Sequence, residues 1–355
     1  MNSLTPNTRR NFLKQSALSA AAGGAAFSIT GCFKPQPSSD IVLGHGNHQY
    51  EVIHDWAKLP DNYTWQTTHN VAVDGDNRLY VIHEGRVDQP DHPTIFVFDE
   101  NGEFIKAFGS FQGGGHGIEV RREGHEEFLY VCAYQQLKTF AKMTLDGEII
   151  WQRWAPMDAG GYHADEASNP QKVWGRDRFM PTNFAFLDDG GFFLADGYGS
   201  HRILRYDAEA NFVSSFGSHG KEDGQFNLPH GVWIDDRGPE KTVAVCDRAN
   251  NRMQWFTLGG EHIKTVSDGF TLPANVDLYR GTMLIPDLAQ SITLQDPDGT
   301  LTHLGKDPKW EQTMKEVDEA HKEQKKKVRQ LPETWQDGRF VHPHDACFDR
   351  EGNIF

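Results

Sequence analysis

The sequence predicts an all-β protein, a six-bladed β-propeller whose last blade is truncated at the C-terminus. Three observations predict it. One phrase recurs six times, each copy alternates apolar and polar residues with period two, and turn formers are plentiful, with 35 Gly and 17 Pro in 355 residues. In the phrase, a Pro, Thr or Gly precedes a small or imidazole residue. An alternating strand follows, then an Asp-Gly-like turn, then a second strand.

The copies open at Thr68-His69-Asn70-Val71, Gly115-His116-Gly117-Ile118, Thr182-Asn183-Phe184-Ala185, Pro229-His230-Gly231-Val232, Pro273-Ala274-Asn275-Val276 and Pro343-His344-Asp345-Ala346. Most run on into a third and a fourth strand, as in Ile203-Leu204-Arg205-Tyr206 with Val213-Ser214-Ser215-Phe216, or Met253-Gln254-Trp255-Phe256 with His262-Ile263-Lys264-Thr265. Four antiparallel strands joined by hairpin turns make a propeller blade. One blade cannot cover both its faces, so the units must stack radially. The sixth copy ends at Asn353-Ile354-Phe355 without its later strands, and Tyr50 to Trp56 are placed to supply its outermost one. The propeller is therefore expected over 49–355. Two stretches break the rhythm. Residues 156–178 read as a long loop and 307–331 as a charged, helix-prone insertion, and both fit either a rim or lid over one end or a tolerated surface insertion.

Hydrophobic residues make up 37% and aromatics 12%, enough for a packed core. The net charge of −15 repels phosphate backbones and excludes nucleic acid as a partner. The basic run Lys325-Lys326-Lys327 with Arg329 reads as a solvated helix face. A monomer acting on a small molecule or peptide is expected. Cys132, Cys246 and Cys347 are odd in number and widely separated, so no disulfide framework is implied.

The first 32 residues read as an export signal. Thr8-Arg9-Arg10-Asn11-Phe12-Leu13-Lys14 precedes an Ala/Gly-rich apolar run and resembles a twin-arginine leader. The run is too short for a good spanning helix. It ends in Ile29-Thr30-Gly31-Cys32, which resembles a lipoprotein box, and residues 33–48 with their Pro/Ser content read as a tether. The expected location is the periplasm, free or held on the membrane by a lipid on Cys32.

The innermost strand of each propeller blade lines the central channel. At one repeat-equivalent place the six copies carry His69, His116, Asn183, His230, Ala274 and His344. His116, His230 and His344 come from alternate blades, each 114 positions after the last. Alternate blades of a six-fold ring sit about 120° apart, so three imidazoles would converge on the axis. Three neutral imidazoles with open positions suit a divalent ion, zinc first. A structural calcium ion is a further cofactor expectation. His69 stays outside the set, as either a fourth ligand or a hydrogen-bonding neighbour.

The stretch from Pro181-Thr182-Asn183 through Asp196-Gly197-Tyr198-Gly199-Ser200-His201-Arg202, then Asn227-Leu228-Pro229-His230-Gly231 and Asp247-Arg248-Ala249-Asn250, resembles peptidyl-α-hydroxyglycine α-amidating lyase, a six-bladed propeller of NHL-type repeats. The resemblance is sharpest over the third and fourth copies. It implies zinc on His116, His230 and His344, a catalytic tyrosine at Tyr198 and active-site arginines at Arg248 and Arg86, the last on a loose local match. It implies a reaction splitting a carbinolamide into a primary amide and glyoxylate. The family's disulfides are not reproduced, since Trp255 and Gly199 stand at two of their positions. The rival expectation is a non-catalytic NHL-type propeller that binds a protein or glycan.

Overall fold

The structure is a computed structural model that describes residues 13–15, 40–85, 89, 91–109, 114–168 and 173–355. Arg86, Cys32 and the twin-arginine pair lie outside the described residues.

Five four-stranded antiparallel sheets follow one another along the chain, each with its strands in sequence order. Their first strands are Thr68–Val73, Gly117–Glu123, Phe184–Phe186, Pro229–Asp235 and Asp277–Tyr279. The second strands Leu79–His83 and Phe192–Asp196 are buried at every residue. The fourth strands Phe212–Phe216 and His262–Val266 bury none. That gradient follows from radial stacking, which covers both faces of the middle strands and leaves the outer edge to water.

Apolar clusters join each sheet to the next. Tyr80, Ile82 and Val97 meet Ile118, Leu129 and Val131 between the first and second sheets. Similar clusters lie between the second and third, third and fourth, and fourth and fifth sheets. The C-terminal residues sit in the wedge between the fifth sheet and the first. There Phe348 and Ile354 share a core with Leu284, Leu294 and Leu304, while Cys347 and Phe355 pack on Leu79, Val81 and Phe96. Cys347 and Phe355 exchange backbone hydrogen bonds and Phe348 bridges Ile354, so the chain turns back on itself there.

The hairpin Val42–His45 and His48–Val52 closes the outer side of that wedge, with Tyr50 and Val52 in the same core. It takes in residues 42–48, which the sequence alone places in the tether. The reason is local: Gly44 and Gly46 both have positive φ, which lets the chain turn back on itself.

Aspartates set turns in several of the units. Asp74 accepts from the backbone N–H of Asp76 and Arg78, Asp207 from Glu209 and Asn211, and Asp349 from Glu351 and Asn353. The charged insertion folds as the helix Pro308–Ala320, capped by Asp307 with Pro at its start. Its buried face, Trp310 and Met314, packs on Val328 and Val341, and the Trp310 indole donates to the Phe340 carbonyl at 2.7 Å. The insertion is thereby fixed two residues ahead of His342-Pro343-His344. Among the described residues no helix is long and apolar enough to cross a bilayer.

Candidate metal centre on the axis

The histidines converge. Ring centroids of His116 and His230 lie 4.8 Å apart, those of His230 and His344 4.5 Å, and those of His116 and His344 5.0 Å. His69 joins them, at 4.9 Å from His116 and 5.0 Å from His344. One ligand nitrogen from each of His69, His116 and His344 lies within 4.8 Å of the others.

Three of the four rings are held alike. Nδ1 of His116 meets the Thr182 carbonyl at 2.9 Å, Nδ1 of His230 the Ala274 carbonyl at 2.6 Å, and Nδ1 of His344 the His69 carbonyl at 2.6 Å. A carbonyl only accepts, so each Nδ1 carries the proton and each Nε2 presents a lone pair. Every acceptor belongs to the following unit, so the stacking of neighbouring sheets aims the rings. The glycine after two of these histidines belongs to the same device. A Cβ on Gly117 would collide with the Thr182 carbonyl, and one on Gly231 would meet the Asn275 Cα at 2.5 Å and the Ala274 oxygen at 2.9 Å. His-Gly lets the next strand approach closely enough to take the imidazole proton.

These contacts correct the repeat alignment. Thr182 N–H bonds Ala195 O as His116 N–H bonds Cys132 O and Ala274 N–H bonds Pro286 O. Thr182, not Asn183, is the counterpart of the histidines. Asn183 sits one step further down the axis with Asn275 and Asp345, donating to Asn275 Oδ1 at 2.6 Å and to Glu119 at 3.0 Å.

His69 differs in kind. Its Nδ1 is buried without a partner, and its Nε2 lies 3.9 Å from Glu84 and 3.4 Å from the Gln135 amide. Burial holds His116, His230 and His344 well below the ordinary imidazole range, and lowers His69 as well. With protonation disfavoured, the Nε2 lone pairs of His116 and His230 still face each other 3.1 Å apart. Two neutral lone pairs at that distance repel unless a cation lies between them. Tetrahedral coordination with Zn–N near 2.0–2.1 Å sets ligand nitrogens about 3.3 Å apart, so the donor set fits a divalent ion.

Tyr198 and Arg248 stand beside this cluster. Each follows a buried aspartate at the end of a second strand. Asp196 organises its turn by accepting from Met180 N, Ser200 N and the Tyr162 hydroxyl, and Asp247 does so through Asn227 N, Asn250 and Arg252. The Tyr198 hydroxyl lies 3.5 Å from His230 Nε2 and accepts from Arg248 Nη2 at 2.7 Å. Arg248 is 8% exposed, and its Nη1 is buried without a partner. Tyr134, which the sequence did not single out, packs against both Tyr198 and His116, at 4.7 and 5.1 Å between centroids. The positive charge of Arg329, from the insertion, is felt at His69, Glu84 and His342.

Further along the axis lies a cavity of about 160 Å³ lined by Glu119, Asn275, Asp277 and Asp345. Burial pushes Asp345 up to about 8 and Asp277 up to about 6, and holds Glu119 well above the usual carboxylate range.

No family model matches the chain. Human NHL repeat-containing protein 3 is 28% identical over 212 residues, covering 58% of this chain and 56% of its own, and the mouse protein is 25% identical over 281 residues, covering 70% and 75%. The probable peptidyl-alpha-hydroxyglycine alpha-amidating lyase of Caenorhabditis elegans is 34% identical over 104 residues, 28% of this chain and 29% of that one. The chain thus spans between about half and three quarters of the NHL proteins it matches and under a third of that lyase. The Streptogramin B lyase structure superimposes with a TM-score of 0.47 at 12% identity over 81% of this chain and 89% of that one, too loosely to bear on function. By sequence, the chain resembles the NHL-repeat β-propellers and, with them, the peptidyl-α-hydroxyglycine α-amidating lyases.

Proposed function

We propose that this protein is a metal-dependent lyase of the cell envelope that splits a peptidyl-α-hydroxyglycine, or a related carbinolamide, into a primary amide and glyoxylate. The observation that carries the reading is the pair of Nε2 atoms of His116 and His230, aimed at each other 3.1 Å apart beside the Tyr198–Arg248 pair. His116, His230 and His344 would hold the ion, and His69 flanks it. A divalent ion there, zinc by the all-imidazole donor set, supplies Lewis-acid polarisation of a substrate oxygen.

The protein's own groups account for the rest. Tyr198 takes the proton of the carbinol hydroxyl. As the C–O bond becomes a carbonyl, the C–N bond breaks, and the departing amide nitrogen takes that proton back from Tyr198. Charge on the tyrosine oxygen is met by Arg248 Nη2, and Nη1, which has no partner among the described residues, is placed to receive the substrate carboxylate. The cavity lined by Glu119 and Asp345 is where a structural calcium would neutralise the carboxylates. Twin-arginine export and a lipid on Cys32 would place the enzyme at the periplasmic face of a membrane.

A second reading is a non-catalytic NHL-type propeller that keeps the metal for structure. It is supported by the match to NHL repeat-containing protein 3, whose name carries no activity. Incubating the zinc-loaded protein with a peptidyl-α-hydroxyglycine and measuring glyoxylate separates the two. The lyase reading expects turnover that falls at least about 100-fold in Tyr198→Phe. Zinc retained without glyoxylate release would support the second reading.

A further inference from the structure

Residues 156–168 and 173–178 are pinned beside the histidine cluster. Glu166 is buried in an ion pair with Lys138 and also accepts from Arg178 and the Phe179 N–H. Tyr162 donates to Asp196, Arg202 donates to the Ala159 and Gly160 carbonyls, and Arg176 contacts the Gly199 carbonyl and His201. From this anchored segment Trp174 projects with 58% of its surface exposed, the largest exposure of any large hydrophobic residue described. Its ring stands edge-on to Tyr198 at 5.9 Å and to Tyr134 at 6.0 Å. Tyr134 is 3% exposed and touches His116. An unbroken aromatic path therefore runs from solvent, through Trp174 and Tyr134, to a candidate metal ligand.

An anchored tryptophan left open to water beside a reaction centre is a surface for a ligand to cover. The charged end of a hydroxyglycine belongs at Arg248. What remains is the group on the amide side of the scissile C–N bond, and the rings that pack on Tyr198 outside the histidine cluster are Tyr134 and Trp174. We propose that these two rings form an aromatic wall that selects substrates carrying a flat apolar group on that side. The inference rests on the lyase reading for the substrate's orientation, but not for the affinity of the wall.

The test compares N-benzoyl-α-hydroxyglycine with N-acetyl-α-hydroxyglycine in the zinc-loaded wild type, Trp174→Ala and Trp174→Phe. The wall predicts a KM for the benzoyl compound raised about ten-fold in Trp174→Ala, a far smaller change for the acetyl compound, and restored preference in Trp174→Phe. An unchanged benzoyl-to-acetyl ratio in Trp174→Ala overturns the proposal. Calorimetric binding of hippurate and N-acetylglycine to the same proteins reads the wall without turnover. A hippurate preference that disappears in Trp174→Ala supports it even where no glyoxylate is made, in which case the lyase reading alone falls. Equal binding of the two acids by the wild type removes the wall whether or not turnover occurs.

Discussion

Replacing Lys138 by Met should destabilise the protein by about 3 kcal/mol, because it leaves Glu166 buried without its main counter-charge. Both side chains are 1% exposed, so water cannot take over the lost contact. Removing one member of a buried pair costs roughly 3–5 kcal/mol. The low end applies here because Glu166 keeps the Phe179 N–H at 3.2 Å and Arg178 at 3.3 Å, and the Arg178 side chain is 14% exposed and partly solvated. Glu166→Gln should cost as much or more, since Lys138 has no other acceptor among the described contacts. In the double variant Lys138→Met/Glu166→Gln no charge is stranded, and stability should lie at least about 2 kcal/mol above the sum of the two single losses. Urea unfolding of the four proteins, followed by tryptophan fluorescence, gives the cycle. Single variants that lose less than about 1 kcal/mol, or that add without coupling, would refute the claim that this pair pins the rim over the site.

The other predictions concern fit and protonation. Gly231→Ala should cost about 1–3 kcal/mol and lower metal retention, because its Cβ meets backbone of the next unit and displaces the carbonyl that fixes His230; thermal unfolding and bound metal would be read together. His201 is held down to about 3 by burial first and by Arg176 next, so it folds neutral while the unfolded chain takes up a proton below about 6.5. Its contribution is intact above pH 6.5 and is lost as pH falls toward 3, at about 1.4 kcal/mol per pH unit. His201→Gln should be less stable at pH 7, since the buried ring that accepts from Arg176 and donates to the Phe226 carbonyl is lost, yet lose less between pH 6.5 and 5 than the wild type; parallel slopes over that range would contradict the assignment.

Much of the fold is legible in the sequence because its information is periodic. The alternating strands repeat in each unit, the Asp-led turns in most of them, and so does the small or imidazole residue that opens each inner strand. His116, His230 and His344 stand out for the same reason. The slip from Thr182 to Asn183 shows the limit of that logic. Where histidine is replaced, a neighbouring polar residue looks equivalent, and only the bond from Thr182 N–H to Ala195 O decides between them. His69 is placed correctly by the repeat, but its different hydrogen bonding comes from Glu84 and Gln135, which no period marks. Trp174 and Arg329 were invisible as site residues. Both sit in the non-repeating stretches, whose placement depends on single long-range contacts such as Lys138 with Glu166 and Trp310 with Phe340. The Tyr198–Arg248 contact joins two units 50 residues apart and was reached only through the family resemblance.

The most direct measurement is the metal content of the purified protein and of its His230→Ala variant by elemental analysis. Three imidazoles converging on one ion predict about one equivalent of zinc or a similar divalent metal per chain in the wild type, and its loss in the variant at unchanged fold. The same content in both proteins would contradict the assignment of His230 as a ligand. A wild type that neither carries nor takes up a divalent ion would remove the metal centre altogether.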